Sequence, residues 1–187
     1  MSSSEKAVSE EAMRREWAEI QAAQQDAAAF RPLYERYYSQ IFRFIYRRTA
    51  DEHLTADLCS QVFLRALQKI DQYTFRGVPF SAWLFRMAMN EVGMHYRGQQ
   101  RRRVVSMEET NLHQLTDDLD AQAASVTVET MVAALDQLKE TDLELLELRY
   151  FEQRPYREIA QILDMTENNA KVRVHRILSR LKSRLLP

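Results

Sequence analysis

At 187 residues, with 45% hydrophobic and 28% charged side chains, the chain is long enough for one large core or two small ones and has the composition of a folded globular protein. Three Gly and four Pro are too few for the tight turns of an all-β protein, and a single Cys excludes an intramolecular disulfide. The formal net charge of −1 argues, taken alone, against a nucleic-acid partner, which usually selects a basic excess.

The start, "MSSSEKAVSEEAMRREW", has no apolar stretch of the kind a signal peptide needs. No run in the chain approaches the ~20 apolar residues of a membrane span, so no membrane insertion and a cytoplasmic location are expected. Residues 1–25 read as an N-terminal extension in which Trp17 and Ile20 suit a short leading helix.

Residues 26–105 read as a tight helical domain. Phe30, Leu33, Tyr37, Ile41, Phe44 and Ile45 recur at steps of three and four, the spacing of one helix face. Leu58, Val62, Phe63, Ala66, Leu67 and Ile70 repeat that rhythm in a second helix. "YTFRGVPF" then breaks it, because Gly77 adds backbone freedom and Pro79 disfavours helix at the residue before it. A third helix starts near Phe80, with Trp83, Leu84, Met87 and Ala88 on its core side.

Residues 106–127 are acidic, weakly periodic and poor in aromatics, and read as a flexible linker. Residues 128–187 accommodate four helices. Thr141 and Glu144 have capping-box spacing for the second of them, and Pro155 suits the first turn of the third. Thr166 can N-cap the fourth. Between the last two, "DMT" makes a three-residue turn in which Asp164 tolerates a left-handed backbone, while Ala160 gives the room two crossing helices need. The expected fold is therefore all-α: two small helical domains joined by an acidic linker, the C-terminal one with a helix-turn-helix.

The charges are segregated rather than balanced locally. Cations gather in "YRGQQRRR" (Tyr96 to Arg103) and from Lys171 to Arg184, while acids crowd Met107 to Asp120. On the last helix Ala170, Val174, Ile177, Leu178, Leu181 and Leu185 share the inward side. Asn168, Asn169, Val172, His175, Arg176 and Ser179 take the other, with Lys171 and Arg173 flanking. Guanidinium and carboxamide groups read base edges, and Val172 suits a thymine methyl. In the first domain Phe75 and Arg76 beside Gly77, with Arg86, Asn90, His95 and Arg97 further on, make a second candidate surface, suited to unpaired bases.

Three stretches, "DLCSQVFLRALQKI", "FSAWLFRMAMN" and "LELLELRYFEQRPYREIAQILDMTENNAKVRVHRILSRLK", in that order and with a linker before the last, resemble the bacterial RNA polymerase sigma factors of the extracytoplasmic-function (ECF) subfamily. The resemblance implies a region-two-like domain over residues 26–105 that binds the polymerase clamp helices and opens the minus-ten promoter element. It implies a region-four-like domain over residues 128–187 that reads the minus-thirty-five element and meets the polymerase flap. By position, it places Asp57, Gln61 and Arg65 on the polymerase-binding helix. Phe75, Arg76, Asn90, His95 and Arg97 fall at the minus-ten site. Asn168, Asn169, Lys171, Val172, Arg173, His175 and Arg176 fall at the minus-thirty-five site. Core RNA polymerase, promoter DNA and an anti-sigma factor are the implied partners.

Other readings are weaker. An autonomous helix-turn-helix regulator would bind duplex DNA tightly by itself as a dimer, and a pure interaction module would use a helical face on another protein. His53 with Cys59, or Glu91 with His95, are pairs without a complete constellation, so no enzyme, metal or cofactor is expected.

Overall fold

In the computed structural model, which describes residues 10–96, 115, 119 and 127–185, every regular element among those residues is helical. They fall into two units, one holding residues 10–96 and the other residues 115, 119 and 127–185.

The first unit contains α1 (Glu10–Gln25), α2 (Arg31–Thr49), α3 (Glu52–Gln68) and α4 (Phe80–Tyr96), with 3-10 turns at Ala27–Phe30 and Ile70–Gln72. Their ends follow from local chemistry. The Asp51 carboxylate accepts from Leu54 N–H at 3.0 Å and starts α3, and Asp26 caps the first 3-10 turn through Ala28 N–H at 2.9 Å. Ala50, at φ 50°, ends α2 in the left-handed region. Leu33, Ile41, Phe44, Ile45, Val62, Ala66, Phe80, Leu84 and Ala88 are fully buried, as their spacing predicts. Phe44 meets Phe85 edge-on at 4.8 Å, and Phe30 touches both Phe63 and Phe80.

The leading helix is longer and better anchored than a short extension. Ile20 and Ala23 enter the core. Buried Glu16 accepts from Tyr37 Oη on α2 and from Phe80 N–H, at 2.7 Å, at the start of α4. Gln24 Nε2 donates to the Ile70 and Tyr73 carbonyls at 2.9 and 3.1 Å. α1 is thus an integral part of the unit, built through contacts that are remote in sequence.

The second unit contains α5 (Val128–Leu135), α6 (Glu140–Leu146), α7 (Tyr156–Ile162) and α8 (Glu167–Leu185). α6 runs on into a π-helical turn, Glu147–Phe151, after which Gln153 adopts φ 52°. The capping box expected at Thr141 does not form. α6 begins two residues earlier, with Lys139 at the N-cap, and the Thr141 hydroxyl accepts from Arg173 instead. Pro155 stands at the N-cap of α7, one position before its expected place, where its missing N–H is equally harmless. Of the expected linker, only Leu115, Leu119 and Thr127 are described. Both leucines are buried, and Thr127 caps α5 through Thr130 N–H at 3.3 Å.

The turn between α7 and α8 is a Schellman closure. Asp164 has φ 56°, and Met165 N–H donates to the Ala160 carbonyl at 2.9 Å. Thr166 Oγ1 then accepts from Asn169 N–H at 3.2 Å and opens α8. Ala170, Val174, Ile177 and Leu181 are buried beneath α8, and Ala160 lies buried at the crossing. Behind the turn, Arg154 and Glu158 form a buried pair at 3.1 Å.

Candidate nucleic-acid interface

The outward face of α8 is fixed by what its inward face buries. With Ala170, Val174, Ile177 and Leu181 in the core, Asn168, Asn169, Val172, His175 and Arg176 are turned to solvent on successive turns. Val172 is 39% exposed, one of the large apolar side chains the fold leaves in water. The flanking cations are engaged. Lys171 pairs with Glu167 at 2.7 Å and lies 5.8 Å from the Tyr156 ring, over which Arg149 also sits at 4.6 Å.

Arg173 differs from the rest of the expected set. It is half-buried, and its guanidinium donates to Asp142 Oδ1 at 2.8 Å and to Thr141 Oγ1 at 3.3 Å. Arg180 donates to the other oxygen, Asp142 Oδ2, at 2.6 Å. Burial disfavours the Asp142 carboxylate, and the two guanidiniums more than reverse that, holding its carboxyl below the ordinary aspartate value. The sequence shows no acid after Glu167, so the face looks uniformly cationic there. Asp142, 31 and 38 residues away from its two partners, escapes any local pattern. Its place in the first turn of α6 is the one sequence signal it gives.

In the first unit the expected minus-ten residues occupy two places. Phe75 and Arg76 are exposed in the loop before α4, beside Gly77 at φ 73°. Phe75 rests 6.0 Å from Trp17, which also meets Tyr73 at 6.2 Å, so α1 backs the loop. Asn90 is exposed on α4, about 15 Å of helix axis beyond Phe80. His95 follows one turn later, half-buried and edge-on to Tyr96 at 5.1 Å. The loop residues and the α4 residues are thus separate places in the unit. Arg97 lies outside the described residues.

Asp57 and Gln61 are exposed on α3. Arg65 is exposed too but reaches Glu91 on α4 at 2.7 Å, which also takes Glu91 away from His95. The structure adds a feature of α2. Tyr34, Tyr38, Phe42 and Tyr46 stack along α2, with neighbouring centroids at 5.2, 5.8 and 6.4 Å. Tyr34 is 40% exposed, Tyr46 43%, and Leu64 on α3 55%. The four-residue spacing of this stripe is plain in the sequence but was masked by the core periodicity of the same helix. Cys59 is buried, and burial pushes its thiol up to about 12. Among the described residues no group of three or more His, Cys, Asp or Glu converges on a metal position, and no helix is long and apolar enough to cross a membrane.

Comparison with known proteins matches residues 33–102 to the family "Sigma-70 region 2" and residues 129–181 to "Sigma-70, region 4". The Bacillus subtilis RNA polymerase sigma factor YlaC is 31% identical over 157 residues, 82% of this chain and 90% of its own. The Streptomyces coelicolor ECF RNA polymerase sigma factor BldN is 30% identical over 165 residues, 87% of this chain; the match spans 62% of BldN. The Bacillus subtilis ECF RNA polymerase sigma factor SigM is 27% identical over 152 residues, 81% of this chain and 91% of its own. The solved structure of CnrH in complex with the cytosolic domain of CnrY shares the fold, with a TM-score of 0.59 at 22% identity, covering 90% of this chain and 95% of that one.

Proposed function

This chain belongs to the RNA polymerase sigma factors of the ECF group, and from that premise we propose a division of its work between the two units. The polymerase supplies the chemistry of RNA synthesis, and this chain supplies promoter address and strand opening, with no catalysis of its own. The second unit lays α8 in the major groove of the minus-thirty-five element, where Asn168, Asn169, Val172, His175 and Arg176 meet base edges and phosphates. The first unit captures minus-ten bases with Phe75 and Arg76 in the loop and Asn90 and His95 on α4. Stacking of a base on an aromatic contributes roughly 1–3 kcal/mol, enough to offset part of the cost of unstacking it from the duplex.

Asp57 and Gln61 lie beside the exposed Leu64, close in the fold to the aromatic stripe of α2, and this edge supports docking on the polymerase clamp helices. The same edge is the surface an anti-sigma factor would cover, in the cytoplasm where transcription proceeds. The observation that carries the reading is the outward face of α8: amides, imidazole, guanidinium and an exposed valine, held by a capped turn on a buried core.

The test is transcription in vitro by core polymerase with this protein on fragmented genomic DNA, with the start sites sequenced. A discrete set of starts sharing two spaced elements is expected. Starts no different from those of core polymerase alone would end the reading.

A further inference from the structure

Two of the cations on α8 are not available to DNA as they stand. Arg173 and Arg180 each hold a separate oxygen of Asp142, at 2.8 and 2.6 Å, and Asp142 is itself only 7% exposed. Both carboxylate oxygens are occupied, and Thr141 takes a further bond from Arg173. The three residues therefore tie the start of α6 to the middle of α8. By contrast, Arg176, His175 and the two asparagines stand in solvent on the adjoining face.

We propose that Asp142 limits the sequence-independent affinity of this protein for DNA and its salt dependence: it withholds two phosphate-seeking guanidiniums and fixes α8 against α6, leaving promoter choice to the base-reading side chains. The inference rests on the minus-thirty-five reading given above. Phosphate contacts add affinity for every sequence equally, whereas base contacts discriminate. One carboxylate cancels one of the two positive charges and holds both guanidiniums in place, so the pair contributes less to the first and leaves the second untouched. Specificity is a difference between affinities, so a sequence-blind attraction cancels from it and changes only the overall strength and salt dependence of binding.

The experiment compares holoenzymes, made from core polymerase and the full chain, on duplexes with matched and scrambled upstream elements across a fourfold range of salt. With Asp142→Asn, the matched and scrambled duplexes are both bound more tightly at low salt, and their ratio is unchanged. If both freed guanidiniums reach phosphates, the loss of affinity over that salt range becomes about ten-fold larger than in the wild type. Asp142→Glu keeps the charge and restores the wild-type slope. Arg180→Gln, which leaves Asp142 its other partner, keeps the wild-type slope on scrambled DNA, because the guanidinium removed was held by Asp142 and not by a phosphate.

A merely structural role gives a different pattern: Asp142→Asn weakens matched binding and leaves scrambled binding and its slope unchanged. That result overturns the proposal. So does an Arg180→Gln slope shallower by about one, which would place Arg180 on a phosphate and decides the matter even if Asp142→Asn fails to fold. Loss of matched-over-scrambled preference in the wild type itself would instead refute the underlying minus-thirty-five reading, so the two failures are distinguishable.

Discussion

A carboxylate that answers two guanidiniums at once makes the second unit sensitive to acid in a definite direction. The folded Asp142 carboxyl titrates below the unfolded value of about 3.9. Its contribution to stability is therefore fully present above that unfolded value and is lost as pH falls through the lower, folded one. Thermal melting of the wild type and of Asp142→Asn across pH 7 to about 2 checks this. The wild type is the more stable near neutrality, and the gap closes in acid; a gap constant with pH would mean that the carboxylate charge is irrelevant. At this scale legibility divides by sequence distance. The outward set Asn168, Asn169, Val172, His175 and Arg176 was readable because helical spacing decides it, and Thr166 and Asp164 because caps and turns are local. Arg173 looked like its neighbours on α8, and only the fold shows it held by a residue of another helix. Cys59, unable to form a disulfide within the chain, is a packing residue whose buried thiol stays protonated at neutral pH.

Among elements, α1 shows most clearly how a helix can matter without belonging to a recognisable pattern. It precedes the residues matched to the region-two family, yet its Glu16 accepts from the first N–H of α4 and from a tyrosine of α2, 64 and 21 residues away. A helix N-terminus carries unsatisfied donors and a partial positive charge, so a carboxylate brought in from another helix acts as its cap. Removing that acceptor leaves the buried Phe80 N–H unsatisfied, at a cost of about 1–3 kcal/mol. Glu16→Ala is therefore expected to lower the denaturation midpoint clearly, and Glu16→Gln, which keeps an acceptor oxygen, to lower it less. Equal losses would show that the hydrogen bond is not what Glu16 contributes. The sequence revealed Trp17 and Ile20 as residues able to pack, but the bonds of Glu16 and Gln24 span too much chain to leave a periodic trace. The π turn at Glu147–Phe151 was equally invisible, because nothing in its composition separates it from the α-helix before it.

α4 carries its own prediction. Asn90 stands exposed about three turns beyond the loop that holds Phe75. If it receives an unpaired base, Asn90→Ala impairs open-complex formation on duplex promoters more than on promoters already melted around the minus-ten element, because part of the lost interaction is what offsets unstacking. An identical defect on both templates would argue that Asn90 acts elsewhere. The core positions of α4 were legible from their spacing; the separation of the expected minus-ten residues between loop and helix was not, since sequence order alone does not say how far a loop stands from a helix face.

For the molecule as a whole, a net charge of −1 means that net charge does not draw the free chain to DNA. Each unit offers a small contact, and Asp142 reduces the sequence-blind part of one of them further. Affinity for a promoter then depends on holding both units in line, which the polymerase does by converting two weak contacts into one through effective concentration. The order and spacing of the two family segments made the family readable from the sequence, because order and spacing survive where individual contacts do not. The consequence is measurable by gel shift on a promoter duplex found by the start-site experiment. The free chain should give no discrete complex at physiological salt, and the chain with core polymerase should give one that requires both elements. A tight, sequence-specific complex formed by the chain alone, with the mobility of a dimer on two half-sites, is what an autonomous regulator would produce. That outcome would move the source of specificity from the assembled holoenzyme to the second unit acting by itself.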